Sequence, residues 1–538
     1  MEPMRAEGER TPPDDDADVA DFPERSVDAA SVREILSLVL IVVLADLTVY
    51  RGEGYGGLAA LLLGVPLLVF VGAARRRLLP VVWLMLALLL GSVARLVWCG
   101  SPGAVSAGAF LAVCVAMSQC GLPPWVLHTL VFVGQTFAAG HRSLTEYSQL
   151  LSRWSPRVPR SGMLSVAFPA ATLLVFGGVF VLANPDLLAM VSGELEKLVS
   201  VLQQWLLDFA PGPLEVVFWI GVAWLAAGLL RPALGGPEDD FVQVEVVQAN
   251  EVVTASLYAP FRNTLVSVIG LFVAYLVFEF QTLWFREFPA GFHYSGYAHE
   301  GAAWLTLALA LATVLLSVIF RGQVLRDSRV GRLKWLAWLW SALNLLLAAA
   351  VVHRMLIYVE FNGMTRMRVV GFLGIGSVVG GFVFVVAKIV QRRDFRWLIR
   401  RHLWTVTFAG YLYCVLPVDS WVNQYNVRRI LDGDSAPSVQ ISVHPTSAEG
   451  LLQLMPLLEC SDPLVRNGVS ALLAQRLEAD RRRVAEADHQ HWTAYQLANE
   501  RLHERLERES GRWPNDSDAA NARAEALEEF HAYAWQWF

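Results

Sequence analysis

Between Ile35 and Asp419 the chain carries about eleven strongly apolar stretches, most of them long enough to cross a hydrocarbon core of roughly 30 Å. A backbone in lipid must satisfy its own polar groups, so such stretches fold as helices. The fold class expected is therefore all-α: a polytopic transmembrane helical bundle of eleven spans, or twelve by one alternative, with a small C-terminal helical extramembrane domain. The spans are Ile35 to Tyr50, Gly57 to Ala73, Leu78 to Val97, Ala104 to Ser118, Met163 to Ala183, Leu214 to Leu230, Phe261 to Leu283, Ala302 to Phe320, Trp335 to Val352, Val369 to Val390 and Leu403 to Val418.

Composition supports this. Hydrophobic residues make up 55% and charged residues 17%, against roughly 45–50% and 25% in soluble domains. Charge concentrates in the first thirty residues, the loops and the last hundred, which excludes a soluble multidomain protein. A net charge of −6 gives no basic stripe for nucleic acid. Cys99, Cys114, Cys120, Cys414 and Cys460 are widely spaced without a Cys-x-x-Cys pair and read as small buried hydrophobes. The organisation expected is a disordered acidic tail over 1–31, N-terminal helices with an interfacial helix over 32–162, a transmembrane core over 163–430 and a helical extramembrane domain over 431–538.

Basic residues accumulate in short cytoplasmic loops. Arg75-Arg76-Arg77, the stretch Arg142 to Arg160, the cluster from Arg321 to Lys334 and the cluster from Arg392 to Arg401 fall on one side if there are eleven spans. The N-terminus is then cytoplasmic and the C-terminal domain outside, in a bacterial inner membrane. Pro123 to Ala139 is apolar enough for a twelfth span, which would flip the downstream parity, but its two prolines and His128 favour a helix in the interface. Leu187 to Phe209 and Ser143 to Arg153 also read as interfacial. In the C-terminal region, Ala448 to Leu477 predicts a helix pair broken at Asp462-Pro463. Ala485 to Glu509 predicts one charged helix, with Arg501, Arg505 and Arg508 alternating with glutamates at i,i+4 spacing.

Ionisable residues within or beside spans are the best functional pointers, because each is costly in lipid unless paired or hydrated. Asp46, Arg95, Glu279, His353, Arg354, Glu360 and Asp419, with Gln281, map to the outer half of the eleven-span arrangement. They define a candidate outward polar vestibule with the pairs Asp46–Arg95 and Glu279–Arg354; the plainer alternative is a set of structural pins or snorkelling rim residues. The loop His293 to Gly301 holds His299 and Glu300 without zinc-ligand spacing, and its aromatics fit an interfacial belt. Gly371, Gly374, Gly376, Gly380 and Gly381 lie in an apolar span and read as helix packing, not as a dinucleotide loop. No metal or cofactor is expected, and no catalytic signature names a reaction.

Three motifs carry a resemblance: Tyr294-x-x-Tyr297-Ala298-x-x-Gly301, near His299 and Glu300, after a span ending Phe280-Gln281-x-Leu283-Trp284-Phe285; Arg354-Met355-Leu356-Ile357-Tyr358 with Gly363-Met364-Thr365-Arg366-Met367-Arg368; and Asn423-Gln424-Tyr425-Asn426-Val427. With Trp492 and Leu497 to Leu506, they make the chain similar over Met163 to Leu506 to a family of bacterial multi-pass membrane proteins known only as a domain of unknown function. Ala183-Asn184-Pro185-Asp186 and Ala302 depart from the family's pattern. The resemblance implies a membrane fold and supplies no activity. The leading reading is an envelope scaffold, sensing or partner-binding protein, in contact with lipid and binding another envelope protein through its C-terminal domain. A transporter or channel-like protein and a membrane-embedded enzyme acting on lipid or envelope precursors are the alternatives.

Overall fold

The computed structural model describes residues 31–73, 77–154, 211–232, 258–283, 294–320, 329–391, 395–486, 492–513 and 517–537, and a few isolated positions. Among these the protein is all-α. The expected tail, the span Met163 to Ala183 and the interfacial stretch Leu187 to Phe209 lie outside the described residues.

The bundle comprises α1 (Val32–Ala45), α2 (Tyr55–Gly72), α3 (Pro80–Cys99), α4 (Pro102–Gln119), α5 (Val126–Trp154), α6 (Pro213–Leu230), α7 (Tyr258–Leu283), α8 (Tyr294–Ile319), α9 (Val330–Asn362), α10 (Arg366–Gln391) and α11 (Phe395–Val415). Local chemistry marks many of their starts. Ser31 and Ser101 accept N-terminal amides, from Glu34 at 3.3 Å and Ala104 at 3.2 Å, and prolines occupy the first turns of α3, α4 and α6, where a missing N–H costs nothing. Among the described residues, seven helices are long and apolar enough to cross a membrane. Leu36, Val39, Leu40 and Val43 on α1, and Trp83, Leu84 and Leu90 on α3, are exposed. Such apolar faces are stable against hydrocarbon, so the chain is an integral membrane protein in contact with the bilayer.

The bundle has two dissimilar ends. One is basic: Arg231 ends α6 beside Glu34 of α1 and Glu146 of α5, at 3.5 and 2.5 Å; Arg329 lies over Tyr258 and Lys388 over Phe395; Arg400 and Arg401 approach Trp125. The other end carries the C-terminal helices. Helices α1 to α4 and α6 to α11 run between the two.

Helix α5 behaves differently. It starts beside Arg400 and Arg401, and Glu146, eight residues before its last residue, pairs with Arg231, so both contacts lie at the basic end. The stretches Pro123 to Ala139 and Ser143 to Arg153, read from sequence as separate pieces, are therefore largely one helix. It crosses α6 by close backbone approach: a Cβ at Gly228 would lie 2.0 Å from the Thr136 carbonyl oxygen, and one at Gly140 would meet Trp224.

The C-terminal unit consists of α12 (Val418–Leu431), α13 (Ser438–Val443), α14 (Ala448–Leu451), α15 (Pro463–Glu486), α16 (Leu497–Glu509) and α17 (Ser517–Trp535). Leu454, Leu457, Val465, Val469, Leu473, Leu502, Leu506 and Phe530 fill its core, which also takes in Cys99 from α3. The expected break at Asp462-Pro463 is present: Asp462 Oδ1 accepts the amides of Leu464 and Val465 at 2.9 and 3.4 Å. Ahead of it, Pro456 lies in a 3₁₀ segment, Leu452–Glu459, that follows the single turn of α14 and takes the place of the rest of the first predicted helix. The helix predicted over Ala485 to Glu509 is not continuous. Helix α16 starts at Leu497, after a 3₁₀ turn at Trp492–Ala494 that packs on Gly54, Gly56 and Gly57.

Gly228→Ala places a methyl group against a backbone carbonyl that no rotamer change can move, so α5 must shift from α6. Overpacking of this kind costs about 1–3 kcal/mol. We expect a lower melting temperature for purified Gly228→Ala in detergent, and an unchanged one for Gly221→Ala, whose Cβ meets nothing within 4 Å.

Candidate functional site

Four ion-pair groups gather toward the domain end of the bundle. In the first, α1 runs into a π-helical turn, Asp46–Tyr50, whose extra residue per turn re-aims side chains. Thr48 Oγ1 donates to the Leu44 carbonyl at 2.6 Å. Arg51 then folds back, with Nε 3.0 Å from Asp46 and Nη2 2.5 Å from Glu215 of α6. Trp219 Nε1 donates to the other Asp46 oxygen at 2.8 Å. Asp46 is thus committed to α6.

The second group corrects the expected Asp46–Arg95 pair. Arg95, one turn before the end of α3, makes a two-pronged contact with Glu449 of α14, the Nη2–Oε1 arm being 2.7 Å. Trp98 Nε1 donates to the same carboxylate at 2.9 Å. Glu449 is buried, so the pair is held in low dielectric, where losing one partner leaves an uncompensated charge. Arg95 turns to the domain because the end of α3 is capped by it, Cys99 entering its core.

The third group is the expected Glu279–Arg354 pair, which forms. Arg354 Nη2 lies 2.5 Å from Glu279 Oε1, and Tyr275 donates to Oε2 at 2.9 Å. The two side chains are 2% and 6% exposed. The pair ties α7 to α9 inside the bundle.

The fourth group joins the second and third resemblance motifs. Arg366 forks onto both oxygens of Asp419, with one arm at 2.5 Å, and the Ser447 amide donates to Asp419 Oδ2 at 3.0 Å. Asn423 donates to Thr446 at 2.9 Å. Asn426 accepts from the Met364 amide at 2.7 Å and donates to its carbonyl at 2.9 Å, pinning the α9–α10 turn. Gly363 ends α9 at φ 84°, the left-handed geometry that favours glycine, and a Cβ there would lie 2.6 Å from Asn426 Oδ1. Thr365 Oγ1 accepts the Arg368 amide at 3.2 Å, and the buried Arg368 guanidinium stacks 3.7 Å from the Tyr358 ring centre. Arg429 lies 5.9 Å from the Tyr425 ring centre and donates to the Val359 carbonyl at 3.0 Å, and Gln440 donates to that of Asn362 at 2.9 Å.

Of the remaining expected positions, His353 is half-buried, while Glu360 and Gln281 are exposed. Tyr294, Tyr297, His299, Glu300 and Gly301, expected on an irregular loop, belong to α8, which extends two turns beyond its apolar stretch. The described polar residues form separate clamps, several of them onto the domain. Burial pushes the Asp419 carboxyl up, but the Arg366 guanidinium and the Ser447 hydrogen bonds outweigh it and hold Asp419 below the usual carboxylate range. The residues missed by sequence reasoning are the partners: Arg51, Glu215, Trp219, Trp98 and Glu449. Glu449 lies more than three hundred residues from both Arg95 and Trp98, a separation that gives no local signal.

Fold and clamps together define a multi-pass helical membrane protein whose C-terminal helices are riveted to one end of its bundle. The chain belongs to the family described as a domain of unknown function, DUF4153, whose model matches residues 57–452. The match begins well upstream of Met163, taking in α2 to α4, and stops inside the C-terminal unit at Leu452. No curated protein and no solved structure matches the chain.

Two outcomes follow from this geometry. Arg95→Ala and Glu449→Ala each destabilise by about 3–5 kcal/mol, and their double variant is far less than additive. Asp46→Ala with Arg95→Ala adds to within about 0.5 kcal/mol; a double-mutant cycle on melting of the purified protein checks both. A depressed folded-state pKa adds stability above the unfolded value of about 3.9 and loses it as pH falls through the folded value. Acidification below pH ~4 therefore loosens the α10–α12 contact, and Asp419→Asn flattens that part of the melting temperature against pH profile.

Proposed function

We propose that the protein is a scaffold or sensing protein of a bacterial inner membrane, with its N-terminus in the cytoplasm and its helical C-terminal domain outside, offered to another envelope protein. The observation that carries this reading is the use of the charges at the domain end: Arg95, Arg366, Asp419 and Glu449 all hold the domain at a fixed attitude on the bundle. Side chains spent on such clamps favour rigid presentation over passage of a solute. The exposed Trp492, Tyr495 and Trp535 supply aromatic surface of the type enriched in protein interfaces. Arg142, Arg332 and Arg396 on the opposite side support the orientation.

Two measurements test it. Glu459→Cys on the domain and Arg332→Cys at the basic end are labelled in intact cells with a membrane-impermeant thiol reagent; labelling of Glu459→Cys alone is expected, and the reverse pattern overturns the orientation. Purified protein in proteoliposomes is expected to show no ion flux that Glu279→Gln abolishes. Such a flux would replace the scaffold reading with transport.

A further inference from the structure

The last turn of α3 meets the C-terminal domain at a groove of about 540 Å³. Trp98, Met455 and Pro456 form its apolar side, and Arg501, Arg505 and Arg508 its polar side. The i, i+4, i+7 spacing puts the three arginines on one face of α16. All three are exposed, and among the described residues none forms a salt bridge. Two other charges on α16 are matched: Glu507 pairs with Arg481 at 2.6 Å and Glu509 with Arg512 at 2.7 Å. Arg501 instead lies 5.1 Å from the Trp98 ring centre, and Arg508 Nε donates to the carbonyl of Glu504 in its own helix at 3.2 Å. Glu504, also lining the groove, leaves two positive charges in excess.

What lies along the bundle beside this groove decides the occupant. Trp83, Ala87, Leu90, Ala94 and Val97 are exposed at alternating four- and three-residue steps. They form an apolar stripe up α3 that ends next to Trp98. A cationic groove standing at the head of an apolar stripe matches one molecule with an anionic head and a hydrocarbon tail. We propose that this groove seats the headgroup of an anionic glycerophospholipid, its phosphate among Arg501, Arg505 and Arg508 and an acyl chain against the α3 stripe. Guanidinium forks suit phosphate oxygens, and arginines at the membrane surface attract anionic lipid. A free phosphate would use the arginines and leave the stripe without a role. The inference concerns a lipid site and stands whether or not the domain binds a protein partner.

The test uses the full chain in phosphatidylcholine nanodiscs with and without phosphatidylglycerol, followed by melting and by native mass spectrometry of retained lipid. Phosphatidylglycerol is expected to raise the melting temperature and to remain bound. Arg501→Gln/Arg505→Gln/Arg508→Gln is expected to weaken retention by about a hundredfold, from roughly one kcal/mol per lost charge. Arg481→Gln/Arg512→Gln, an off-groove control, is expected to retain lipid as the wild type does. Equal retention by the triple variant, equal loss in the control, or the same stabilisation from inorganic phosphate in phosphatidylcholine alone would each overturn the proposal. Should the triple variant fold poorly, Arg505→Gln alone carries the same comparison at several-fold weaker retention, and unchanged retention there overturns the proposal as well.

Discussion

Charge pairing between arginine and carboxylate at the domain end governs how the two parts of this molecule are joined. A guanidinium presents two parallel N–H groups, and a carboxylate two oxygens, so one contact fixes both distance and orientation. Arg95 on Glu449 and Arg366 on Asp419 set two such contacts on different bundle helices, α3 and α10. Two oriented contacts, with Gln440 on Asn362 beside them, define a plane. The apolar core beneath, reached by Cys99 from α3, adds burial without direction.

Much of the helical framework was legible in the chain. Pro80, Pro102, Pro213 and Pro463 stand at helix starts because the first turn has no use for their missing N–H, and lipid permits no other regular structure for isolated apolar spans. Pro123 to Ala139 and Ser143 to Arg153 carry two separate local patterns, yet most of both falls in the single helix α5. Boundaries failed where tertiary contacts override local pattern. Ala485 to Glu509 has the charge periodicity of one helix, yet Thr493 accepts the Glu53 amide at 2.9 Å and the chain turns there to fit the glycines before α2.

The polar end was legible in membership and not in pairing. Glu279 and Arg354 were matched because both are expensive in mid-bundle and each needs an opposite charge nearby. Asp46 and Arg95 obeyed the same logic and found other partners. Arg51 sits only five residues from Asp46, brought back by a π turn that leaves no mark in composition. Glu449 lies in the part of the chain that reads as an extramembrane domain, so a search among spans overlooks it.

Asn426 carries a consequence for how this protein tolerates change. Its amide group meets both backbone groups of Met364, recognising the turn as a peptide and taking nothing from the residue's identity. Position 364 can therefore drift chemically while its φ and ψ stay fixed. Position 426 has no such latitude: aspartate lacks the donor, and glutamine has the right group on a longer stem. In the short turn from Gly363 to Arg366, the contact depends on the residue that reads the backbone and not on the side chain the backbone bears.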